Sequence, residues 1–315
     1  MRPLIFSTTF VIVTAGVALA ACTDKSHERH QSAESLTYRT TANLVQVHGG
    51  QFKMGDFGQL IPETEALYFS ADSDNKPVHT VELSPFSIQK YRVTHQEYDH
   101  YLAVTGKPDK SYHRDPHSLP DNSNHIDPNT RWADEAVSVD WYEANDYCSW
   151  LGHQIGLQGN LPTEAQWEYA ARSEGQLILF ATDNGKAEEG RNIPTLDEIR
   201  DMHPEDSYNQ TIRVGRFPPN SLGLYDMGYG GLEWVQDWYA PDYYQHSPLK
   251  DPQGPATGAE KVQRGKRNNE DGYAMKNDQL TFVRYHSAPD LYDPIDQKKA
   301  LTPGNGMRCV FVAKP

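Results

Sequence analysis

The chain predicts a loop-rich α+β domain of short strands and a few helices. Three observations carry that expectation. Only 37% of its 315 residues are hydrophobic, while 23 Gly and 21 Pro punctuate it, which favours turns over long regular elements. Apolar and polar residues alternate through several short runs before residue 92, the period of a half-buried strand. Three Thr/Asp-x-x-Glu/Gln signatures then open helical patterns, as capping boxes do.

The first element is a leader. Arg2 precedes an apolar run from Leu4 to Leu19, ending in Leu19-Ala20-Ala21-Cys22. In size and flanks this is a secretory signal, too short for a stable span. The ending resembles the bacterial lipobox, which implies cleavage after residue 21, acylation of Cys22 and, with Thr23 beside it, sorting to the outer membrane. Each acyl CH₂ buried in lipid adds about 0.8 kcal/mol, so several chains anchor firmly. Residues 1–21 are therefore expected to be signal peptide, 22–43 a lipidated flexible tether and 44–315 one folded domain. The formal net charge is −14, and loss of Arg2 makes the mature chain more acidic. Such a domain is a poor partner for nucleic acid and for anionic lipid surfaces.

Leu44–Gly55 reads as two short strands around the Gly49-Gly50 turn, and Val78–Leu83 and Phe86–Tyr91 as further alternating runs. Thr94 with Glu97 opens the first helix, which carries Tyr98, Tyr101 and Leu102 to Gly106. Asp140 with Glu143 opens the second, with Trp141, Ala144, Cys148 and Leu151 at helical spacing before Gly152. Thr163 with Gln166 opens the third, where Trp167, Ala170 and Ala171 share a face. In each, the cap oxygen accepts from an otherwise orphaned N–H of the first turn.

The order of landmarks resembles one family. The chain runs from Gly-Gly-x-Phe-x-Met-Gly at 49–55 through Tyr91-Arg92-Val93-Thr94, the 162–172 helix and Phe217-Pro218-Pro219-Asn220. Gly223-Leu224-Tyr225-Asp226-Met227, Glu233-Trp234 and Gly306-Met307-Arg308 follow. This series resembles the formylglycine-generating enzymes, or sulfatase-modifying factors, and implies their C-type-lectin-like fold. With Cys22 assigned to lipid, Cys148 and Cys309 remain. An oxidising compartment favours a disulfide, and the resemblance points the same way; two buried free thiols are the alternative.

The resemblance also implies calcium, which takes six to eight oxygen ligands from carboxylates, amides and carbonyls. In one loop Asn192 and Asp206 would bind through side chains, Ile193 and Tyr208 through carbonyls. In the other, Asp226 and the Glu233 side chain would join the carbonyls of Tyr229 and Gly231. Gly228–Leu232 departs from the family's usual sequence there.

Catalytic members oxidise a substrate cysteine with a Cys-x-x-x-x-Cys pair whose thiolates hold Cu(I). Aligned on Arg284-Tyr285 and Ala288, the corresponding positions here are Phe282 and Ser287. Phenylalanine neither binds copper nor exchanges disulfides, so no copper is expected at the family site. Arg284, Tyr285, His286 and Ser287 remain as candidates for a binding cleft. Tyr273 joins them from the polar excursion 267–279, whose Asn, Asp, Lys and Tyr suit adaptable contacts. The expected function is a lipid-anchored, non-catalytic module holding a protein, peptide or glycan. The alternative is a periplasmic metal-dependent oxidase of non-haem iron type, which needs a His and carboxylate set that the 13 histidines do not visibly form.

Overall fold

A computed structural model describes residues 36–109, 134–195, 197–198, 201, 213–266, 279–290 and 305–314. Cys22, Asp206, Tyr208 and Tyr273 therefore lie outside the described residues.

Helix α1 (residues 36–42) leads into β1 (Leu44–Val47), followed by β2 (Gly50–Met54), β3 (His79–Leu83) and β4 (Phe86–Gln89). Helices α2 (His95–Thr105) and α3 (Trp141–Gln154) precede β5 (Gln158–Asn160) and α4 (Glu164–Ala171). The rest is β6 (Leu232–Trp238), β7 (Lys261–Gly265), β8 (Tyr285–Ser287), β9 (Asn305–Gly306) and β10 (Val310–Val312). The strands form two four-stranded sheets, ordered β1-β4-β10-β5 and β8-β7-β6-β9, and the β2-β3 ribbon. This is the expected loop-rich α+β class.

All three capping boxes are present, at Thr94/Glu97, Asp140/Glu143 and Thr163/Gln166. Each N-cap side chain accepts from the N3 backbone N–H while the N3 side chain reaches back, which fixes the helix starts.

The two short strands expected around Gly49-Gly50 are present, β1 pairing with β4 and β2 with β3, so the turn carries the chain between sheets. Two local expectations are corrected. Helix α3 does not stop before Gly152 but runs to Gln154. A Cβ at Gly152 would come within 2.2 Å of the Gly159 backbone nitrogen, so this glycine serves close approach of α3 and β5. The ordered fold also begins before Leu44. Leu36 and Thr40, one helical turn apart, are 0% and 1% exposed, and Leu36 packs with Val93, Tyr98 and Tyr101. Arg39 of the same helix bonds Gln96 (3.0 Å) and His100 (2.9 Å). Residues 36–42 are thus part of the packed body, not tether.

Two apolar cores result. One lies between the β2-β3 ribbon, α4 and the strand faces around Phe52, Val81, Ile88, Trp167 and Val235. The other lies between α2, α3 and the last strands around Tyr98, Tyr147, Leu151, Trp234 and Phe311. Cys148 and Cys309 are joined in a disulfide inside the second core, across 161 residues of sequence. Under the chain-entropy model a loop of that length contributes about 5 kcal/mol. The Cys148→Ser/Cys309→Ser variant is therefore expected to lose roughly 5–15 °C of thermal midpoint. Scanning calorimetry of both proteins checks this, and an unchanged midpoint would contradict it.

Candidate functional site

Helix α4 carries an uncommon stripe. Glu164, Glu168 and Arg172 recur every fourth residue and so share one face, yet they are 1%, 0% and 0% exposed. Unpaired charges cannot stay there, and the fold pairs all three. Arg264 of β7 donates to Glu164 Oε1 and Glu168 Oε2, each at 3.0 Å. Arg172 donates to Glu168 Oε1 at 2.8 Å, and the Gly55 N–H reaches the same oxygen at 2.9 Å. Arg284 grips Glu164 as a fork, Nε to Oε1 at 2.7 Å and Nη2 to Oε2 at 3.0 Å. Burial by itself would raise the Glu164 carboxyl; the Arg284 and Arg264 guanidiniums outweigh it and hold the group below the usual carboxylate range.

The lattice extends to Asp237 of β6, whose Oδ2 accepts from the Glu164 backbone N–H at 2.8 Å. Burial, then the neighbouring Glu164 charge, push the Asp237 carboxyl up to about 7. Beside it Lys261 is 2% exposed. Its ammonium lies between two indoles, 3.8 Å from the Trp141 ring centre and 3.9 Å from that of Trp238, and donates to the Gln236 carbonyl at 2.8 Å. Burial lowers Lys261 to about 8, against the pull of Asp237.

A second buried lattice centres on Glu233. Arg308 donates to both its oxygens at 2.7 Å, and Trp167 Nε1 to Oε2 at 2.9 Å. Arg92 Nε lies 3.8 Å away, and its guanidinium donates to the carbonyls of Gly230 and Leu232.

These contacts decide where the expected site residues stand. Arg284 is corrected: it is buried and committed to Glu164 and to the Asp74 carbonyl at 2.7 Å, a framework residue rather than a contact surface. Tyr285 is half-buried against the Phe57, Leu280, Phe282 and Val283 group. His286 is the residue that faces outward. It stacks on Tyr239 at 3.7 Å between ring centres and pairs through Nδ1 with Glu260 at 2.8 Å. Ser287 Oγ donates to Gln263 Oε1 at 3.1 Å. Phe282 is fully buried, edge-on to Phe57 at 5.4 Å and stacked on Phe69 at 6.3 Å.

Of the calcium loops, the second does not fit. Both Glu233 oxygens serve Arg308, with Arg92 adjacent, and a divalent cation there would face two guanidiniums. Asp226 accepts from the Gly215 N–H at 2.7 Å, and burial pushes it up to about 6. Tyr229 and Gly231 lie in that loop, and Tyr229 sits under the Lys266 ammonium at 4.5 Å. In the first loop Asn192 is buried, with Nδ2 facing Asp183 Oδ1, Asn184 Oδ1 and the Lys186 carbonyl at 3.0–3.1 Å. The Ile193 carbonyl accepts from Gly190 N–H at 2.8 Å and keeps a second lone pair. Among the described residues, no three or more His, Cys, Asp or Glu side chains come together as a metal-holding group.

Two expectations follow. Arg308→Met leaves Glu233 buried without its fork and should cost about 3–5 kcal/mol, with Glu233→Leu/Arg308→Met less damaged than the single variant; urea denaturation measures both, and the reverse order would contradict the role given to Arg308. Asp237 titrates higher in the fold than in the unfolded chain, where Asp sits near ~3.9. Its favourable contribution is therefore complete below that value and is lost as pH rises through about 7. The midpoint of Asp237→Asn minus that of the parent should become more positive from pH 4 to pH 7; a flat difference would argue against the burial described.

Comparison with known proteins follows the same architecture. Residues 30–290 match the model of the sulfatase-modifying factor enzyme 1-like domain. The formylglycine-generating enzyme of Streptomyces coelicolor is 32% identical over 262 residues, covering 72% of this chain and 79% of that protein. The serine/threonine-protein kinase pkn1 of Chlamydia pneumoniae is 32% identical over 230 residues, 70% of this chain but only 32% of that protein's length. The solved structure of PvdO from Pseudomonas aeruginosa superposes with a TM-score of 0.61 at 22% identity, over 85% of this chain and 93% of the other. Treponema denticola variable protein 1 gives 0.55 at 20% identity, over 85% and 94%; both likenesses speak for the fold. The chain belongs to the sulfatase-modifying factor family, whose formylglycine-generating members share its domain.

Proposed function

We propose that this chain is a non-catalytic binding module, tethered by lipid on Cys22 to the bacterial outer membrane, that holds a protein, peptide or glycan ligand. The observation that carries the reading is the state of the position aligned with the family's first active-site cysteine. Phe282 fills it, wholly buried between Phe57 and Phe69. The chain has three cysteines, and two of them are spent in the Cys148–Cys309 disulfide. The third, Cys22, lies in the leader region. Copper–thiolate chemistry therefore has no pair of sulfurs in the cleft.

The ligand-facing surface in this reading is His286 on Tyr239, with Glu260 and Ser287; Tyr273, outside the described residues, is retained as a candidate from the sequence alone. The arginine lattice beneath makes it rigid, and rigid floors under adaptable polar rims suit recognition. Calcium is retained in the proposal only at the first loop, where Asn192 and Ile193 would combine with Asp206 and Tyr208 to stiffen it. The oxidase alternative draws no support from the His and carboxylate positions among the described residues.

The test combines two measurements on the purified mature protein. A cysteine-containing sulfatase peptide incubated with the chain, Cu(I) and oxygen should show no formylglycine by mass spectrometry. Metal analysis should find calcium but no stoichiometric iron or copper. Aldehyde formation, or one iron per chain with oxygen uptake, would overturn the proposal.

A further inference from the structure

We propose that the loop 57–70 is a docking element for a cationic amphipathic segment of a partner protein, one whose large apolar residues are interleaved with Lys or Arg. The proposal goes beyond the reading above and uses none of its ligand-facing residues.

The loop displays apolar surface where the rest of the domain hides it. Among the described residues, seven large hydrophobic side chains are exposed, and three of them, Leu60, Leu67 and Tyr68, fall within nine consecutive positions. Leu67 is 66% exposed, the most of any leucine described. A single exposed leucine is ordinary, whereas a cluster marks a contact surface. The two arms of the loop touch: a Cβ on Gly58 would lie 2.3 Å from the Leu67 carbonyl oxygen and 3.0 Å from the Tyr68 Cα. Leu60, two residues after Gly58, therefore belongs to the same compact unit.

The loop is tied at its neck. Asp56 is fully buried. Its Oδ1 accepts from the N–H groups of Gly58 at 3.0 Å and Phe69 at 3.2 Å, and its Oδ2 from that of Ser70 at 2.9 Å. Thr64 Oγ1 donates to the Gly58 carbonyl at 2.6 Å. Phe57 and Phe69 meet edge to face at 5.9 Å, on the packed group that includes Phe282. Joined ends and an interior filled by its own side chains make this an Ω-type loop. At its tip Glu65 and Ala66 have φ of 52° and 64°, the left-handed region that residues with side chains disfavour. Leu67 follows directly, its N–H donating to the Thr64 carbonyl at 3.0 Å. The strained turn fixes the exposed leucine before any partner arrives, which lowers the ordering cost of binding.

The charge around the patch selects the partner. Glu63 and Glu65 are exposed and have no ion pair or side-chain hydrogen bond among the described residues. The neighbouring cation, Lys76, is turned inward: its Nζ lies over the Tyr68 ring at 4.6 Å, donates to the Ser70 carbonyl at 2.7 Å and stands 4.0 Å from Asp56. Asp72 accepts from Ser70 at 2.9 Å and Asp74 from Tyr239 at 3.0 Å, which leaves the two glutamates as the free charges. They repel an anionic lipid surface, and a two-fold contact with a second copy would set the same acids against each other. Lys or Arg beside a large apolar residue answers both features at once, pairing Glu63 and Glu65 while covering Leu67.

Fluorescence anisotropy of a labelled synthetic helix with one Leu face and one Lys face, titrated with the purified mature protein, tests this. The same helix with Glu in place of Lys is the control. The expected result is binding of the Leu/Lys helix alone. Leu67→Ser should weaken it about tenfold and Glu63→Gln/Glu65→Gln about threefold, both at an unchanged thermal midpoint because these side chains are exposed. The double variant decides the matter if Leu67→Ser is destabilised. No binding, equal binding of the two helices, or equal binding by the parent and the double variant would overturn the proposal. So would a parent dimer in sedimentation velocity, or parent uptake by phosphatidylglycerol vesicles, that Leu67→Ser abolishes.

Discussion

The face of α4 bearing Glu164, Glu168 and Arg172 is the constraint on which the rest of this fold depends. Two carboxylates and three guanidiniums are buried together, and desolvating each is expensive. The arrangement is tolerable only because every charge has a geometric partner: Arg284 as a fork, Arg264 across both acids, Arg172 on the remaining oxygen. Removing one member strands the others. The lattice therefore ties α4 to β7, to β8 through the residue before it, and to the β2 region through Gly55 and Lys53, whose carbonyl accepts from Arg172 at 2.7 Å. A domain with short strands has few ladder hydrogen bonds to join its sheets. Here arginines supply those joints, and Glu233 with Arg308 repeats the device between β6 and the C-terminal strands.

That construction is independent of the residues at positions 282 and 287, on which the proposed function turns. The lattice bonds of Arg264 and Arg284 run to Glu164 and Glu168, and none involves the side chain at position 282 or 287. Phe282 is held by apolar burial against Phe57 and Phe69. Beside the lattice Tyr239 and His286 stack, the pair on which the proposed contact surface is built.

The sequence made some of this legible and hid the rest for physical reasons. Capping boxes are local, so Thr94, Asp140 and Thr163 marked their helices correctly. Alternation marked β3 and β4, but not that β1 and β2 belong to different sheets, since pairing partners are set by tertiary contacts. Gly152 looks like a helix end until β5 is seen lying against it. Leu36 and Thr40 are too few apolar contacts to reveal α1 as packed. At the site, an acid beside a Gly-rich loop reads alike whether its partner is calcium or an arginine 75 residues away, and the structure gives Glu233 the fork of Arg308. Arg284 reads in sequence as a contact residue, whereas the structure buries it on Glu164. The lattice itself left little signal: charges at 164, 168 and 172 on a helix whose other positions are Ala, Gln, Trp and Tyr read equally as a solvated face, and only the arginines of distant strands reveal the burial.

Hydrogen exchange of Arg264→Met tests the central claim most directly. If the buried lattice is a single joint, protection should fall together in α4, in β7 and in residues 281–287, segments far apart in sequence. Loss confined to β7, or protection equal to the parent in all three, would contradict it.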